Sequence, residues 1–532
     1  MKGKLGFAEL FAIGVGGMIG GGIFAVLGLS LQLSDGAAFL SFLLAGMIAL
    51  ATAYSYAVLS RRFPSQGGTV EFIVQAYGDT ILAGGLNLLL LLAYVVMIAL
   101  YTHAFASYGA AAVGGGRLVY DALAILVVGL FTLVNALGAK TSGRVELGLV
   151  GFKLGVLLLA VAAGLEIMDW HRLSPAHWPG PVAIIAGGMV IFLAYEGFEL
   201  ISNAAADASS TRDLVRAFYA SVLVVIAVYV AIAIVSSGTL TPQQVVEARD
   251  YALALVVEPV LGLAGFYLIV AAALASTASA INATLYGTAR ISYMLAKYGM
   301  VPEGLERRVW REAPEGLIII ALLSLLLALL VGLDAISTAG SGAFLLVFAM
   351  VNYAAYKLRE KTKANPTVTI TATIATIASL AVLLYRMATE NPNTILLFAA
   401  ILAASFVVEY AYRQATGRRL PRYVDPKLAE REKLKTEWHA WLPRLAEEIR
   451  KVIADAEVYL VGGIARGELE SSHDVDILVV TSKAKHPEVY MKIKRAAEKA
   501  GITTIHPVDI HVATHEEKHK HLEKSRAYKR LA

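Results

Sequence analysis

Apolar runs, each of roughly 20 residues, recur along the chain up to residue 413, and only short loops separate them. A helix needs that length to cross the hydrocarbon core of a bilayer, where every backbone N–H and C=O must be hydrogen-bonded within the segment. The runs therefore predict an all-α membrane region of about twelve spanning helices. They lie near residues 7–30, 37–60, 81–112, 118–138, 145–168, 182–205, 215–238, 256–288, 315–333, 336–357, 367–388 and 393–412.

The charged residues divide the chain into two parts. They make up 16% of the 532 residues, against about 25% in soluble globular proteins. Up to residue 413 they are almost confined to loops, whereas residues 417–532 are dense in Lys, Arg, Glu and His. We therefore predict a membrane domain over residues 1–415, a linker over 416–435 and a soluble domain over 436–532.

Lys and Arg concentrate in alternate loops, a distribution typical of the cytoplasmic side of a membrane. It predicts a multi-pass protein of the cell (plasma) membrane, embedded in the lipid bilayer with both termini in the cytoplasm. The same bias accounts for the net charge of +5, which is therefore no evidence for nucleic-acid binding. The basic loop residues are Arg61, Arg62, Lys140, Arg144, Arg212, Arg216 and those within 290–311 and 357–363.

The first span is rich in glycine, with six glycines between residues 14 and 22. Each disfavours a continuous helix by about 1 kcal/mol. Close helix packing through small residues is the alternative explanation, but a single small-residue pair would be enough for it. We therefore predict an unwound segment, which at membrane depth must line a cavity. Its amides would face an anion and its carbonyls a cation, the two charges of an amino acid.

The sixth span repeats this feature between Gly187 and Glu199. Interrupted helices five spans apart indicate inverted repeats with a binding site between them. Glu196, beside the predicted break, could accept a proton or face a cationic group, or instead be a carboxylate that is hydrogen-bonded within the bundle. Lys153 of the fifth span is either a buried ammonium or a lysine that extends to the membrane surface.

Three segments together resemble the amino-acid/polyamine/organocation superfamily of transporters. They read Gly-Met-Ile-Gly-Gly-Gly-Ile-Phe at 17–24, Phe-Leu-Ala-Tyr-Glu-Gly-Phe-Glu at 192–199, and Ala-Ser-Thr-Ala-Ser-Ala-Ile-Asn at 275–282. The resemblance implies a LeuT-like fold, the five-plus-five inverted repeat. It places an amino-acid substrate between helices one, three, six, eight and ten.

The resemblance also implies roles for individual residues. The glycine amides would hold the substrate carboxylate, and carbonyls near both breaks, together with Glu196, would hold the amine. Sodium-independent members have a lysine at the position of Lys153, with an eighth-helix hydroxyl as its partner. Leu193 stands where the family commonly has a second aromatic residue. The implied residues are Gly20, Gly21 and Gly22 for the carboxylate, Ile19, Phe192, Leu193 and Glu196 for the amine, and Lys153, Ser276 and Thr277 for coupling.

Two transport mechanisms remain open at this point. Lys153 and Glu196 together favour symport of the amino acid with protons. Lys153 is also compatible with sodium-independent exchange of one amino acid for another. Transport itself would need no cofactor in either case.

The soluble domain alternates between strand and helix patterns and predicts a compact α+β fold. Side chains alternate along a strand, so Asp474 and Asp476 share one face, and Asp509 on a further strand can lie beside them. Three carboxylates form an oxygen site suited to Mg²⁺. Gly462 and Gly463 would let backbone amides approach a phosphate closely.

The segment from Gly462 to Glu468, followed by Asp474-Val475-Asp476, resembles the signature of minimal nucleotidyltransferases of the polymerase-beta superfamily. The resemblance implies that Asp474, Asp476 and Asp509 are the catalytic metal ligands. It places Gly462, Gly463 and Arg466 beside a nucleoside triphosphate. Gly463 and His473 each stand where the family often has a serine. The domain could transfer nucleotides, sense ATP and regulate transport, or act only as a scaffold.

Overall fold

The computed structural model describes residues 5–65, 67–137, 143–301, 308–310, 313–390, 392–416, 433–467, 469, 475–482, 484, 487–502, 508–525 and 527–531. In its membrane part, a two-stranded ribbon of β1 (Arg308–Trp310) and β2 (Ala313–Pro314) accompanies seventeen helices. These are α1 (Phe7–Met18), α2 (Gly22–Ser34), α3 (Ala38–Arg62), α4 (Thr69–Tyr77), α5 (Ile81–Ala112), α6 (Arg117–Ala136), α7 (Gly143–Ile167), α8 (Pro181–Ile191), α9 (Leu200–Asn203), α10 (Thr211–Thr239), α11 (Pro242–Glu247), α12 (Ala252–Lys297), α13 (Glu315–Leu330), α14 (Leu333–Lys357), α15 (Arg359–Thr362), α16 (Pro366–Glu390) and α17 (Pro392–Thr416).

The helices correspond to the predicted spans. Among the described residues, ten helical segments are long and apolar enough to cross a membrane, and one of them, Gly22–Arg62, contains both α2 and α3. Counting α2 and α3 separately and adding the shorter apolar helix Gly316–Leu330 gives the twelve spans that the sequence predicts. The other short helix, Phe7–Met18, is the first half of the span that α2 completes.

Several spans that are five apart along the chain pack against each other. The second lies on the seventh, α3 against α10, and the third on the eighth, α5 against α12. The two interrupted helices, α1–α2 and α8–α9, are also five spans apart and lie in contact, α2 with α8. This pairing is that of the five-plus-five inverted repeat, with one continuous apolar core running through it.

The soluble part is a four-stranded sheet with helices. Its sheet order is β5-β4-β3-β6, in which β4 runs antiparallel to β3 and parallel to β5. The strands are β3 (Glu457–Val461), β4 (Val475–Val480), β5 (Val508–Ala513) and β6 (Lys529–Arg530), and the helices are α18 (Trp438–Val452), α19 (Gly462–Ala465), α20 (Pro487–Lys499) and α21 (Lys518–Ser525).

The core of the soluble part lies between the sheet and α18. Leu442, Leu445 and Ile449 of α18 are fully buried, and they belong to the same apolar cluster as Leu460 and Ile477 of the sheet. The last described residues form α21 and then the edge strand β6. A two-residue strand is too short to produce the alternation by which strands are found in a sequence.

Candidate functional site

The first interruption lies between Met18, where α1 ends, and Gly22, where α2 begins. Ile19 leaves the helical conformation with a ψ of 47°, and Gly20 and Gly21 complete the bend. All of these residues are buried. The first N–H groups of α2 and the last C=O groups of α1 have no partners within their own helices. The sequence-predicted residues Ile19, Gly20, Gly21 and Gly22 are thus brought together at one break.

The second interruption begins where α8 ends at Ile191. Phe192–Tyr195 form a tight 3-10 turn, after which Glu196 is extended with φ −73° and ψ 150°. Gly197 follows with a φ of 120°, in the range that favours glycine. Phe192, Leu193 and Glu196, all predicted as site residues, lie at this break and are fully buried.

The two interruptions touch each other through their backbones. A Cβ atom added to Gly17 would lie 2.8 Å from Cα of Gly197, and one added to Gly22 would lie 2.5 Å from Cα of Ala194. A Cβ on Gly197 would collide with the backbone of Gly17 and Met18. The glycines therefore serve both the break and the close packing that the sequence left as alternatives.

Hydroxyl groups from two other spans hold carbonyls at the breaks. Ser276 of α12 donates to the Ile19 carbonyl at 2.7 Å and also contacts the Gly20 carbonyl. Tyr229 of α10 donates to the Met18 carbonyl at 2.7 Å, and its oxygen lies 3.2 Å from the Ala194 carbonyl. Sequence reasoning named Ser276 but missed Tyr229, because a single tyrosine in an apolar helix carries no motif signal.

Glu196 and Glu199 have different surroundings although only two residues separate them. Glu196 is fully buried, and within the described part of the chain neither of its carboxylate oxygens has a hydrogen-bond partner. Glu199 is equally buried, but it accepts hydrogen bonds from the Tyr94 hydroxyl at 2.9 Å and the Gly197 amide at 2.7 Å. Sequence reasoning did not single out Glu199 or Tyr94. The third span is predicted to line the site, so a hydroxyl within that span was the signal that could have identified Tyr94.

The remaining predicted coupling residues lie in helices next to the first break. Lys153 is fully buried in α7, and α7 packs against both α1 and α12. Thr277 places a methyl group 3.0 Å from the position that a Cβ of Gly21 would take. Its hydroxyl donates to Ala273 within its own helix at 2.7 Å. Of the two candidate eighth-helix hydroxyls, Ser276 is the one directed at the break.

A second cluster lies in the soluble domain, at one end of neighbouring parallel strands. Asp476 of β4 is paired in register with Asp509 of β5. One ligand atom from each of Asp476, Asp509 and His511 lies within 4.8 Å of the others. Asp474 lies outside the described residues. The carboxylates and the imidazole fit a divalent cation by their chemistry, and His511 is a candidate ligand that sequence reasoning did not include.

The predicted phosphate-binding residues lie next to these carboxylates. Gly462 has a φ of 76°, and a Cβ added to it would collide with the Asp476 carboxylate, so no other residue type fits there. Gly463 follows it in the short helix α19. The Gly462 amide donates to the Ser525 hydroxyl at 2.8 Å, and Nη1 of Arg466 donates to the Ser525 carbonyl at 2.9 Å. The end of α21 therefore occupies the Gly462 N–H and one N–H of Arg466, and a phosphate bound here would compete with Ser525 for both.

Two family models match the chain, in separate segments. The amino acid permease model matches residues 5–409, and the nucleotidyltransferase domain model matches residues 442–532. The first match covers both interrupted helices together with Lys153 and Ser276. The second covers the Asp476 cluster and the Gly462 turn.

Relatives of known sequence resemble the chain over most of the membrane part. An uncharacterized protein of Methanocaldococcus jannaschii is 34% identical over 78% of this chain and 96% of its own length. The inner membrane transport protein YbaT of Escherichia coli is 29% identical over 76% of this chain and 95% of its own length. The branched-chain amino acid permease BcaP of Bacillus subtilis is 24% identical over 77% of this chain and 93% of its own length.

Solved structures resemble the chain in fold. The crystal structure of an Eremococcus coleocola manganese transporter superimposes with a TM-score of 0.51, at 13% identity. The match covers 76% of this chain and 94% of that protein. At this level of identity the likeness concerns the fold alone.

Proposed function

The chain belongs to the amino acid permease family, and from this premise we propose that it carries amino acids across the cell membrane by sodium-independent symport with protons. The observation that supports the coupling to protons is Glu196, a fully buried carboxylate whose two oxygens have no hydrogen-bond partner among the described residues. Its place beside the second break puts it next to the proposed substrate.

The substrate would bind between the two breaks. Amides at the start of α2, from Gly20 to Gly22, face the α-carboxylate, since the first N–H groups of a helix have no partners within it. Carbonyls at Ile19, Phe192 and Leu193 face the ammonium group. Each carbonyl oxygen has two lone pairs, so Ile19 can accept from Ser276 and from a ligand together.

Glu196 would carry the proton. A charged carboxylate without donors is far less stable in an apolar interior than a neutral one. Glu196 therefore stays protonated while the loaded site is closed to water, and releases its proton together with the substrate when the site opens to water on the cytoplasmic side. Lys153 of α7 supplies a fixed cation that makes sodium unnecessary. The Lys and Arg distribution supports an orientation with both termini in the cytoplasm.

The test is uptake by the full-length protein in liposomes, after a thermal-shift screen of the twenty amino acids has identified a substrate. We expect an inward proton gradient to drive accumulation and an inward sodium gradient to have no effect. Glu196→Gln should lose accumulation but retain exchange of labelled for unlabelled substrate. The control is Glu360→Gln, an exposed residue of α15, which should behave as the native protein.

Amino-acid exchange is the alternative, and the same liposomes distinguish it. If the native protein takes up labelled substrate only when unlabelled amino acid is loaded inside, exchange replaces symport. If sodium drives accumulation as well as protons do, the proton proposal is wrong.

The cluster of Asp476, Asp509 and His511 favours a second function, binding of a nucleoside triphosphate with Mg²⁺ by the soluble domain. Asp476 and Asp509 would hold the metal. The metal would neutralise the phosphate charge for in-line nucleotidyl transfer. The Gly462 amide and the Arg466 guanidinium would contact the phosphates. The bound nucleotide, ATP for instance, would either bias transport or be transferred to a separate target.

Calorimetric titration of the full-length protein with ATP tests this function. Binding should require Mg²⁺, disappear with EDTA and fall at least tenfold in Asp476→Asn, while Glu516→Gln, an exposed residue, should bind normally. Release of pyrophosphate would establish transfer. No binding at millimolar ATP would leave the domain as a scaffold.

A further inference from the structure

Tyr229 links the two interrupted helices. It is fully buried in α10, and its hydroxyl oxygen lies 2.7 Å from the Met18 carbonyl and 3.2 Å from the Ala194 carbonyl. Met18 is the last residue of α1, and Ala194 belongs to the 3-10 turn of the sixth span. One hydroxyl from a third span is thus shared by both breaks.

These carbonyls lie where helices are interrupted, and they require a hydrogen-bond donor from elsewhere. The last C=O groups of a helix have no amide to accept from, and at membrane depth no bulk water replaces it. Carbonyl oxygens of two broken helices that converge on one point are a common way of binding a monovalent cation. Here a neutral O–H stands at the point of convergence.

The tyrosine ring is fixed independently of its hydroxyl. Its centroid lies 5.1 Å from that of Tyr195 and 6.1 Å from that of Phe42, both in edge-on geometry. Removal of the hydroxyl alone would therefore leave the ring in place and expose the two carbonyls. The space released is next to both oxygens and close to the size of one water or one small ion.

We propose that the Tyr229 hydroxyl takes the place of a monovalent cation between the first and sixth spans, so that Tyr229 and Lys153 each remove the need for a cation at a different position. This inference rests on the proposed transport function, and it assigns to Tyr229 a role separate from that of Lys153. Tyr229 is a positioning residue: it donates to the Met18 carbonyl, contacts the Ala194 carbonyl and holds the two breaks in register for the substrate.

The test uses Tyr229→Phe in the full-length protein, with NaCl compared against KCl. We expect the variant to melt at a higher temperature in NaCl than in KCl, whereas the native protein melts equally in both. In liposomes without sodium, uptake should fall by a factor of about five or more, because the buried Met18 carbonyl loses its donor and the Ala194 carbonyl loses its contact. Sodium should restore part of that uptake in the variant alone.

Tyr195→Phe is the matched control. Its hydroxyl is also fully buried and donates at 2.8 Å to the Phe42 carbonyl, which lies inside the uninterrupted helix α3. This carbonyl has its own partner within the helix, so removal of the Tyr195 hydroxyl creates no cation site. We expect Tyr195→Phe to remain indifferent to sodium in both measurements.

The outcomes separate this inference from the proposed transport. Equal melting of Tyr229→Phe in both salts, or sodium stabilisation of the native protein, overturns the inference whether or not uptake is observed. Sodium stabilisation of the variant alone supports it even if no amino acid is transported, in which case only the transport proposal fails. Should Tyr229→Phe not fold, Tyr229→Asn, which supplies an amide oxygen to a cation, gives the same comparison.

Discussion

At the scale of single residues, hydrogen-bond partners distinguish two acidic side chains that look alike in the sequence. Glu196 and Glu199 are both acids of the sixth span, and both are fully buried. The Tyr94 hydroxyl and the Gly197 amide satisfy Glu199, whereas Glu196 depends on a proton or a ligand. Glu199 is therefore held in place at the break by its two donors, whereas Glu196 is the acid to which the proposed function assigns the proton.

Gly197→Ala should disable the site. Its Cβ would collide with the backbone of Gly17 and Met18, and its φ of 120° is strained for alanine. Overpacking costs about 1–3 kcal/mol, and backbone strain about as much again. We expect a lower melting temperature in detergent and no detectable uptake.

Gly129→Ala is the control for this substitution, because within the described part of the chain only its chain neighbours and the backbone of its own helix α6 lie within 4 Å of the position of its Cβ. It should melt at or above the temperature of the native protein, since alanine favours a helix over glycine by about 1 kcal/mol. Native-like uptake by Gly197→Ala would show that the two breaks do not need their close contact.

At the scale of elements, an ion pair joins β3 to α21 in the soluble domain. The Lys518 ammonium contacts the Glu457 carboxylate, and the Tyr459 hydroxyl donates to the same oxygen at 2.5 Å. Chiefly through the hydrogen bond from Lys518, the pKa of Glu457 falls to about 2. Through the same bond, the pKa of Lys518 rises above its usual value.

The stability of the soluble domain should therefore fall in acid. A carboxylate with a lowered folded-state pKa contributes stability that is complete above its ordinary pKa of 4.5 and is lost as the pH falls towards about 2. Lys518→Met should make stability less dependent on pH within this window. Lys520→Met, an exposed residue of the same helix, should retain the native dependence.

Thermal unfolding followed by the fluorescence of Trp438 and Trp441 measures this dependence. Both residues are buried in the soluble domain, and the tryptophans outside that domain would be replaced by phenylalanine to isolate the signal. Identical pH profiles for Lys518→Met and the native protein would contradict the assignment of the ion pair.

At the scale of the whole molecule, the two family matches do not overlap. They cover residues 5–409 and 442–532. An alignment of 420 residues covers 96% of the Methanocaldococcus jannaschii relative. The rest of that relative is too short to form a second domain. We therefore expect the membrane part to function without the soluble domain.

A chain that ends at Thr416 should insert into membranes and show the same proton-driven uptake as the full-length protein. Any effect of ATP on that uptake should disappear, because the Asp476 cluster is removed. Uptake into liposomes loaded with or without ATP measures both outcomes. Loss of uptake on truncation would mean that the soluble domain is required for transport.

Local signals in the sequence predicted much of this protein. The length and apolarity of the runs required spanning helices, because an unpaired backbone is unstable in lipid. The glycine density of the first span and the motif of the sixth indicated the two breaks, and alternation along β4 and β5 indicated the acidic strands. Each of these signals lies within a few neighbouring residues, where local sequence decides the conformation.

Only the tertiary structure decided which groups meet at the sites. Tyr229 is 211 residues from Met18, Tyr94 is 105 from Glu199, and Ser525 is 63 from Gly462. Such contacts are made by single side chains on elements whose own sequences are unremarkable apolar helices or charged segments. The apolar runs thus specified that helices cross a membrane, but close packing of those helices selected the hydroxyls that satisfy the broken ends.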